Sequence, residues 1–183
     1  MEVSMKVFVV SDSHGEKDNI IKIAGIARKE NADMIIHLGD DYDDADFLLE
    51  EDIKLERVPG VYSNYYSEDE VENRKIIELG GWKFLLTHTK EKHENDPPHD
   101  ISPDEMINSG SVNIVLYGHS HIPAIGKEGD VYLINPGHLK SEDKKGFDPS
   151  YAVLNIEKDT VDVIIKKLNS GELVLRETIT RTL

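Results

Sequence analysis

The sequence predicts an α/β protein, and three observations carry that expectation. Short apolar, β-branched runs recur, first Met5-Lys6-Val7-Phe8-Val9-Val10 and then Met34-Ile35-Ile36-His37-Leu38, and these read as buried strands. Each stops at small and polar residues that include an aspartate, Ser11-Asp12-Ser13-His14-Gly15 and Gly39-Asp40-Asp41. Between them, Glu16 to Glu30 carries Ile20, Ile23, Ala24 and Ala27 at helical spacing, with Ser13 or Asp18 as candidate start and Asn31 as candidate stop. Strand, helix and strand form a βαβ unit. With its strands as parallel neighbours, Asp12 and Asp40 share the edge at which open α/β sheets bind ligands.

The remaining elements follow in order. Asp43 to Asp52 reads as a short acidic helix with Ala45, Phe47, Leu48 and Leu49 turned inward. Leu55 to Val58 is a third strand ended by Pro59-Gly60, and Val61 to Asn73 reads as a loop. Lys75 to Leu79 and Trp82 to Thr87 flank Gly80-Gly81 as a hairpin that delivers His88 to a strand end. Thr89 to Asp100 is a charged loop whose His93 and His99 read as solvated. Ser102-Pro103-Asp104-Glu105 is a capping box with proline at the first helical position, opening a helix to about Ser109. Val112 to Tyr117 is a strand ending in Gly118-His119-Ser120-His121. Ile122 to Lys127 and Val131 to Ile134 pair around Glu128-Gly129-Asp130, Asn135-Pro136-Gly137-His138 turns the chain, and Lys140 to Pro149 is a polar, flexible stretch. Tyr151 to Ile156, Val161 to Leu168 and Leu173 to Thr178 are strands. No repeat or second domain is visible, so residues 1–183 read as one domain.

Composition narrows the function classes. Thirty-six acidic residues against twenty-one Lys plus Arg give a net charge of −15, which repels duplex nucleic acid and anionic membranes. A bound cation can still reverse the sign of the field inside one cleft. With no cysteine there is neither a disulfide framework nor a zinc–thiolate site. No signal-peptide apolar region and no apolar run of transmembrane length are present, which makes a cytoplasmic protein the expectation.

Four strand tips end in residues that bind metals: Asp12 with His14, Asp40, His88, and His119 with His121. Two carboxylates and four imidazoles without a thiolate suit Mn, Fe, Zn or Co. One aspartate can bridge two cations roughly 3.5–4 Å apart. The competing reading of each tip alone is a polar turn, with Asp12 and Ser13 capping the helix that follows. His37, inside an apolar run, reads as a core histidine, and Trp82 as a packing residue.

The ordered set Asp12-x-His14, Gly39-Asp40, His88, Gly118-His119-x-His121 resembles the calcineurin-like metallophosphoesterase family, and Asn135-Pro136-Gly137 resembles the turn of its small bacterial and archaeal phosphodiesterase branch. The resemblance runs from Val7 to about Leu154. It implies a four-layer α/β/β/α sandwich of two mixed sheets, with the strand-rich tail in the second sheet. It further implies a binuclear centre: Asp12, His14, Asp40 and His121 on one ion, and Asp40, His88, His119 and an asparagine on the other. The implied ions are Mn²⁺, with Fe, Zn, Co or Ni as variants. The implied reaction is phosphate-ester hydrolysis by metal-activated hydroxide, of a diester rather than a monoester, with a small phosphate ester as the partner and Asp40 and His88 acting through the metal. A homo-oligomer is compatible with this reading.

Three positions depart from the family pattern. Val61 stands where an asparagine normally binds the second ion, which weakens that site unless Asn64 substitutes. Lys90 replaces a second histidine and is a candidate phosphate contact. His138 replaces a small residue and is a candidate substrate contact. The first two departures favour a competing reading, a weakened or inactive scaffold on the same fold, whereas the six retained ligands favour the enzyme. Asp41 and Glu91 are candidates for orienting the imidazoles.

Overall fold

The computed structural model describes residues 4–49 and 52–181. The described residues form eleven strands in two mixed sheets and two α-helices. The first sheet has the order β11-β10-β9-β1-β2-β3, made of Leu173–Thr180, Thr160–Lys167, Ser150–Ile156, Met5–Val10, Met34–His37 and Lys54–Arg57. Strands β1, β2 and β3 are parallel, and β9 runs antiparallel to β1. The second sheet has the order β4-β5-β6-β8-β7, made of Lys75–Leu79, Trp82–Leu86, Ile114–Leu116, Val131–Asn135 and Ala124–Glu128. There β5, β6 and β8 are parallel.

The alternation of side chains along a strand sets the layers. Val7 and Val9 of β1 face the second sheet and pack with Phe84, Leu86, Ile114 and Leu116, all fully buried. Phe8 and Val10 face the other way, onto Ile20, Ile23, Ala24 and Ala27 of α1 (Lys17–Lys29). The outer face of the second sheet offers Leu85, Val115 and Leu133 to Ile107 of α2 (Pro103–Ser109). Helix, sheet, sheet and helix thus form the expected four-layer sandwich.

Several expectations are corrected. The tail strands β9 to β11 complete the first sheet, not the second: β9 pairs with β1, and its Ala152, Leu154 and Ile156 join the core between the sheets. Helix α1 starts after Glu16, which makes no side-chain cap, rather than at Ser13 or Asp18. Ser13 is committed elsewhere, as described below. The acidic helix is a 3₁₀ segment at Tyr42–Leu48. Its three-residue turn aligns Ala45 with Leu48 inside and leaves Phe47 and Leu49 exposed. The end of that expected helix, 50–51, lies outside the described residues. A second 3₁₀ turn, Asn64–Ser67, interrupts the expected loop. Ser102 caps α2 as expected, with Glu105 N–H donating to Ser102 Oγ at 3.3 Å, and Gly110 closes the helix at φ 62°.

Candidate metal centre

The parallel strands end at one edge, and backbone hydrogen bonds stitch their tips together. Asp12 N–H donates to Gly39 O at 3.1 Å, Gly60 N–H to Asp40 O at 3.2 Å and Gly118 N–H to His88 O at 3.0 Å. Two glycines permit the close approach. A Cβ on Gly60 would stand 2.5 Å from Asp40 Cα, and one on Gly118 would stand 2.7 Å from Asp12 Oδ2. Of the six described non-glycine residues with positive φ, five are Asp12, His14, Asp40, His119 and His121, at 47° to 74°. Such conformations cost about 1–3 kcal/mol each and persist where surrounding structure imposes them. Asp and His tolerate them better than most residues.

The side chains of Asp12, His14, Asp40 and His121 converge, with one ligand atom of each lying within 4.8 Å of all the others. His14 Nε2 and His121 Nε2 are 3.1 Å apart, and His121 Nε2 lies 3.3 Å from Asp12 Oδ1. Asp12 is fully buried and fixed by His119 N–H, at 3.1 and 3.0 Å from its two oxygens. Beside this group, His88 Nε2 stands 3.4 Å from Asp40 Oδ1 and 3.3 Å from His119 Nδ1. The two oxygens of Asp40 therefore face different neighbours, Oδ2 toward His14 and Oδ1 toward His88.

These donors fit divalent ions. Asp40 Oδ2 is buried, and its one close polar neighbour among the described residues is His14 Nε2 at 2.5 Å. Burial opposes ionisation of Asp40, yet the contacts from His14 and His88 hold its carboxyl well below the ordinary range. It is an anion with an unused lone pair, which is the state a bridging ligand requires. Oxygen and imidazole donors without thiolate remain the set that suits Mn, Fe, Zn or Co.

The ring orientations are set from behind. His88 Nδ1 lies 2.8 Å from Leu38 O, and a carbonyl only accepts, so Nδ1 carries the proton and Nε2 is free to ligate. His121 Nδ1 makes a 2.8 Å contact with Asp143 Oδ1, which likewise places a proton on Nδ1, and the carboxylates of Asp12 and Asp143 on either side push the ring's pKa up. Neither partner is the expected Asp41 or Glu91; Glu91 instead pairs with Lys90 at 3.3 Å. Nothing near Leu38 or Asp143 in the sequence marks either as a partner of a histidine 50 or 22 residues away.

The tips are also tied from below. Ser13 Oγ donates to Asp44 Oδ2 at 2.7 Å and sits 3.1 Å from His37 Nε2, while His37 Nδ1 accepts from Gly39 N–H at 3.3 Å. His37 is the core histidine expected, and burial lowers its pKa to about 4, so it stays neutral. Its ring links the loop carrying Asp12 and His14 to the loop carrying Asp40.

The lesser candidates are placed differently. Val61 is buried, and its carbonyl accepts from Asn95 Nδ2 at 2.9 Å. Asn64 is exposed and lines a surface groove with Asp43, Tyr62 and Tyr65. Lys90 shares a cleft of about 250 Å³ with His93, Tyr117 and His119, its ammonium held by Glu91 and Glu128 at 3.3 and 3.4 Å. His138, the candidate substrate contact, is fully buried: its Nδ1 accepts from Lys140 N–H at 3.1 Å and its Nε2 donates to Phe147 O at 3.1 Å. Its ring packs beside His121, centroids 5.5 Å apart. His93, expected in solvent, is half-buried, and its ring lies 6.2 Å from that of His119 and 5.5 Å from that of the exposed Tyr62.

Comparison with known proteins agrees with this architecture. Residues 5–159 match the calcineurin-like phosphoesterase superfamily domain. Phosphodiesterase MJ0936 of Methanocaldococcus jannaschii is 31% identical over 149 residues, covering 73% of this chain and 83% of that protein. The solved structure of YfcE, a phosphoesterase from Escherichia coli, superposes with a TM-score of 0.69 at 21% identity, covering 94% of this chain and 98% of that one. Vacuolar protein sorting 29 from Cryptosporidium parvum superposes with a TM-score of 0.72 at 14% identity, over 97% and 99% of the two chains, which is a likeness of fold. From the family match and the archaeal relative, this chain belongs to the calcineurin-like phosphoesterase superfamily.

Proposed function

We propose that this metal-dependent phosphoesterase is a phosphodiesterase working with two Mn²⁺ ions, one held by Asp12, His14, Asp40 and His121 and the other by Asp40, His88 and His119. The observation that carries the reading is the division of Asp40, one oxygen toward each cluster. The relatives named phosphodiesterase favour a diester over a monoester. In the reaction a water oxygen forms a bond to phosphorus, the ester P–O bond breaks, and the proton leaves on the departing alcohol. Bound divalent ions lower the pKa of water toward about 7 and take up charge on phosphoryl oxygens.

The chain's own residues do the rest. Asp40 and Asp12 supply the negative charge that offsets the cations, in a protein whose surface otherwise repels phosphate. Leu38 O and Asp143 hold a proton on Nδ1 of His88 and His121, which turns Nε2 of each ring toward the ions. Tyr62, His93 and Lys90 flank His119 on the open side, where the organic part of a small ester fits. We further propose that the whole chain acts as one domain in the cytoplasm. Among the described residues no helix is long and apolar enough to cross a membrane.

The test is turnover of bis(p-nitrophenyl) phosphate against p-nitrophenyl phosphate by Mn²⁺-loaded protein. Faster hydrolysis of the diester is expected. Faster hydrolysis of the monoester reverses the preference, and no hydrolysis of either supports the scaffold reading, which an apolar, buried Val61 and a second cluster of three ligands favour.

A further inference from the structure

The stretch from Leu139 to Pro149 has no regular secondary structure, yet it is pinned along its length. Asn19 Nδ2 donates to Leu139 O at 2.6 Å, and Ser141 donates through N–H and Oγ to the Glu16 carboxylate at 3.1 and 2.9 Å. Lys145 Nζ donates to Ser120 O at 2.6 Å, and His138 holds Phe147 O. The segment is a strap fastened to α1 on one side and to the Gly118–His121 tip on the other. The expectation of a flexible stretch is thereby corrected.

The strap buries one acid. Asp143 has a side chain 4% exposed, although both sequence neighbours are exposed. Its Oδ2 accepts Lys145 N–H at 2.9 Å, its Oδ1 takes His121 Nδ1 at 2.8 Å, and Lys140 Nζ lies 3.5 Å away. An ionised carboxylate only accepts, so the proton in the 2.8 Å contact sits on His121 Nδ1. A neutral imidazole has one proton to place. With it on Nδ1, Nε2 keeps its lone pair for an ion that sits between it and Asp12 and His14.

We propose that Asp143 is the positioning residue of the first ion site: through the strap it fixes the tautomer and ring direction of His121. The inference rests on the reading of His121 as a ligand. Asp143 is not among the four converging ligands, so it acts through the ring rather than on the ion. Without it, His121 can turn or carry its proton on Nε2, where it blocks binding. Losing such an outer partner typically weakens metal binding roughly 10–100-fold.

The experiment uses the full chain as wild type, Asp143→Ala, Asp143→Asn and, as control, Glu142→Ala at the exposed neighbouring acid. Two readouts are needed besides activity: ¹⁵N NMR of labelled histidines in metal-free protein, and calorimetric titration with Mn²⁺. Wild type should show His121 protonated at Nδ1. Asp143→Ala should lose that signature and weaken one Mn²⁺ binding step by roughly 10–100-fold. Asp143→Asn, which keeps the shape and an acceptor oxygen but not the charge, should fall between, and it decides the matter if the alanine variant does not fold. Glu142→Ala should bind as wild type does. Wild-type Mn²⁺ affinity in folded Asp143→Ala or in Asp143→Asn, or a neutral wild-type His121 that carries its single proton on Nε2 rather than Nδ1, overturns the proposal. Wild type that takes up no Mn²⁺ overturns the metal reading and this inference together. Normal Mn²⁺ binding without hydrolysis overturns the proposed function alone.

Discussion

His88 Nδ1 donates to the backbone carbonyl of Leu38 at 2.8 Å, so the tip of β5 in one sheet is bonded to the tip of β2 in the other. This contact crosses the interface between the sheets next to the loop that carries Asp40. It explains how two independent layers hold ligands in register: the imidazole is both a ligand candidate and the bolt between the sheets. A Cβ on Gly39 would stand 2.9 Å from that same Nδ1, so glycine at this position leaves room for the bolt.

Asp40→Asn should remove uptake at both ion sites, because each of its oxygens faces a separate cluster. Elemental analysis after loading with excess Mn²⁺ is expected to fall from between one and two ions per chain toward none. The rate should fall by more than about 100-fold, since even outer partners of a ligand cost 10–100-fold. An Asp40→Asn protein that retains one full equivalent of Mn²⁺ would show that the carboxylate does not bridge.

Val61→Asn should tighten the second site. The valine is buried, directly follows Gly60, whose N–H donates to Asp40 O, and has no ligand atom in its side chain. An added oxygen ligand is expected to lower the Mn²⁺ concentration for half-maximal rate by roughly 10-fold, a ligand-level effect. A metal titration of rate with both proteins measures it; coincident curves would mean that another group already completes the site.

His37 makes stability depend on pH. Its pKa is about 4 when folded, against an ordinary 6.5, because burial disfavours the charged ring. Below 6.5 the unfolded chain binds a proton that the folded chain refuses, so stability rises with pH between about 4 and 6.5 and is lost on acidification through that window. The loss from pH 7 to pH 5 comes to about 2 kcal/mol. Urea unfolding at the two pH values should show it, and His37→Gln should show a difference smaller by about that amount. Equal pH dependence in the two proteins would assign the effect to other groups.

Gly60→Ala tests the packing of the tips on one another. The added Cβ would meet Asp40 Cα at 2.5 Å and Asp40 N at 2.6 Å, backbone atoms that cannot swing aside. Overpacking of this kind costs typically 1–3 kcal/mol. Urea unfolding should report that loss, together with weaker Mn²⁺ binding, because Asp40 must shift. A variant with both properties unchanged would show that the loops are looser than their hydrogen bonds indicate.

The sequence by itself determined the types of the candidate ligands and their order along the chain. That information is local: an apolar strand, then a small residue, then Asp or His, repeated at Asp12, Asp40, His88 and His119. The helices, the cap at Ser102 and the core character of His37 were legible for the same reason, since periodicity and flanking residues lie within one turn or one strand. Only the tertiary structure decided that β9 pairs with β1. A strand apolar on both faces, such as Tyr151 to Ile156, can sit in the middle of either sheet, and the choice belongs to a partner about 145 residues away. Only it decided that Leu38 O and Asp143 hold the imidazoles rather than Asp41 and Glu91. A hydrogen bond to the far side of a ring leaves no spacing rule in the sequence; it exists because the sheets and the strap bring an acceptor within 2.8 Å.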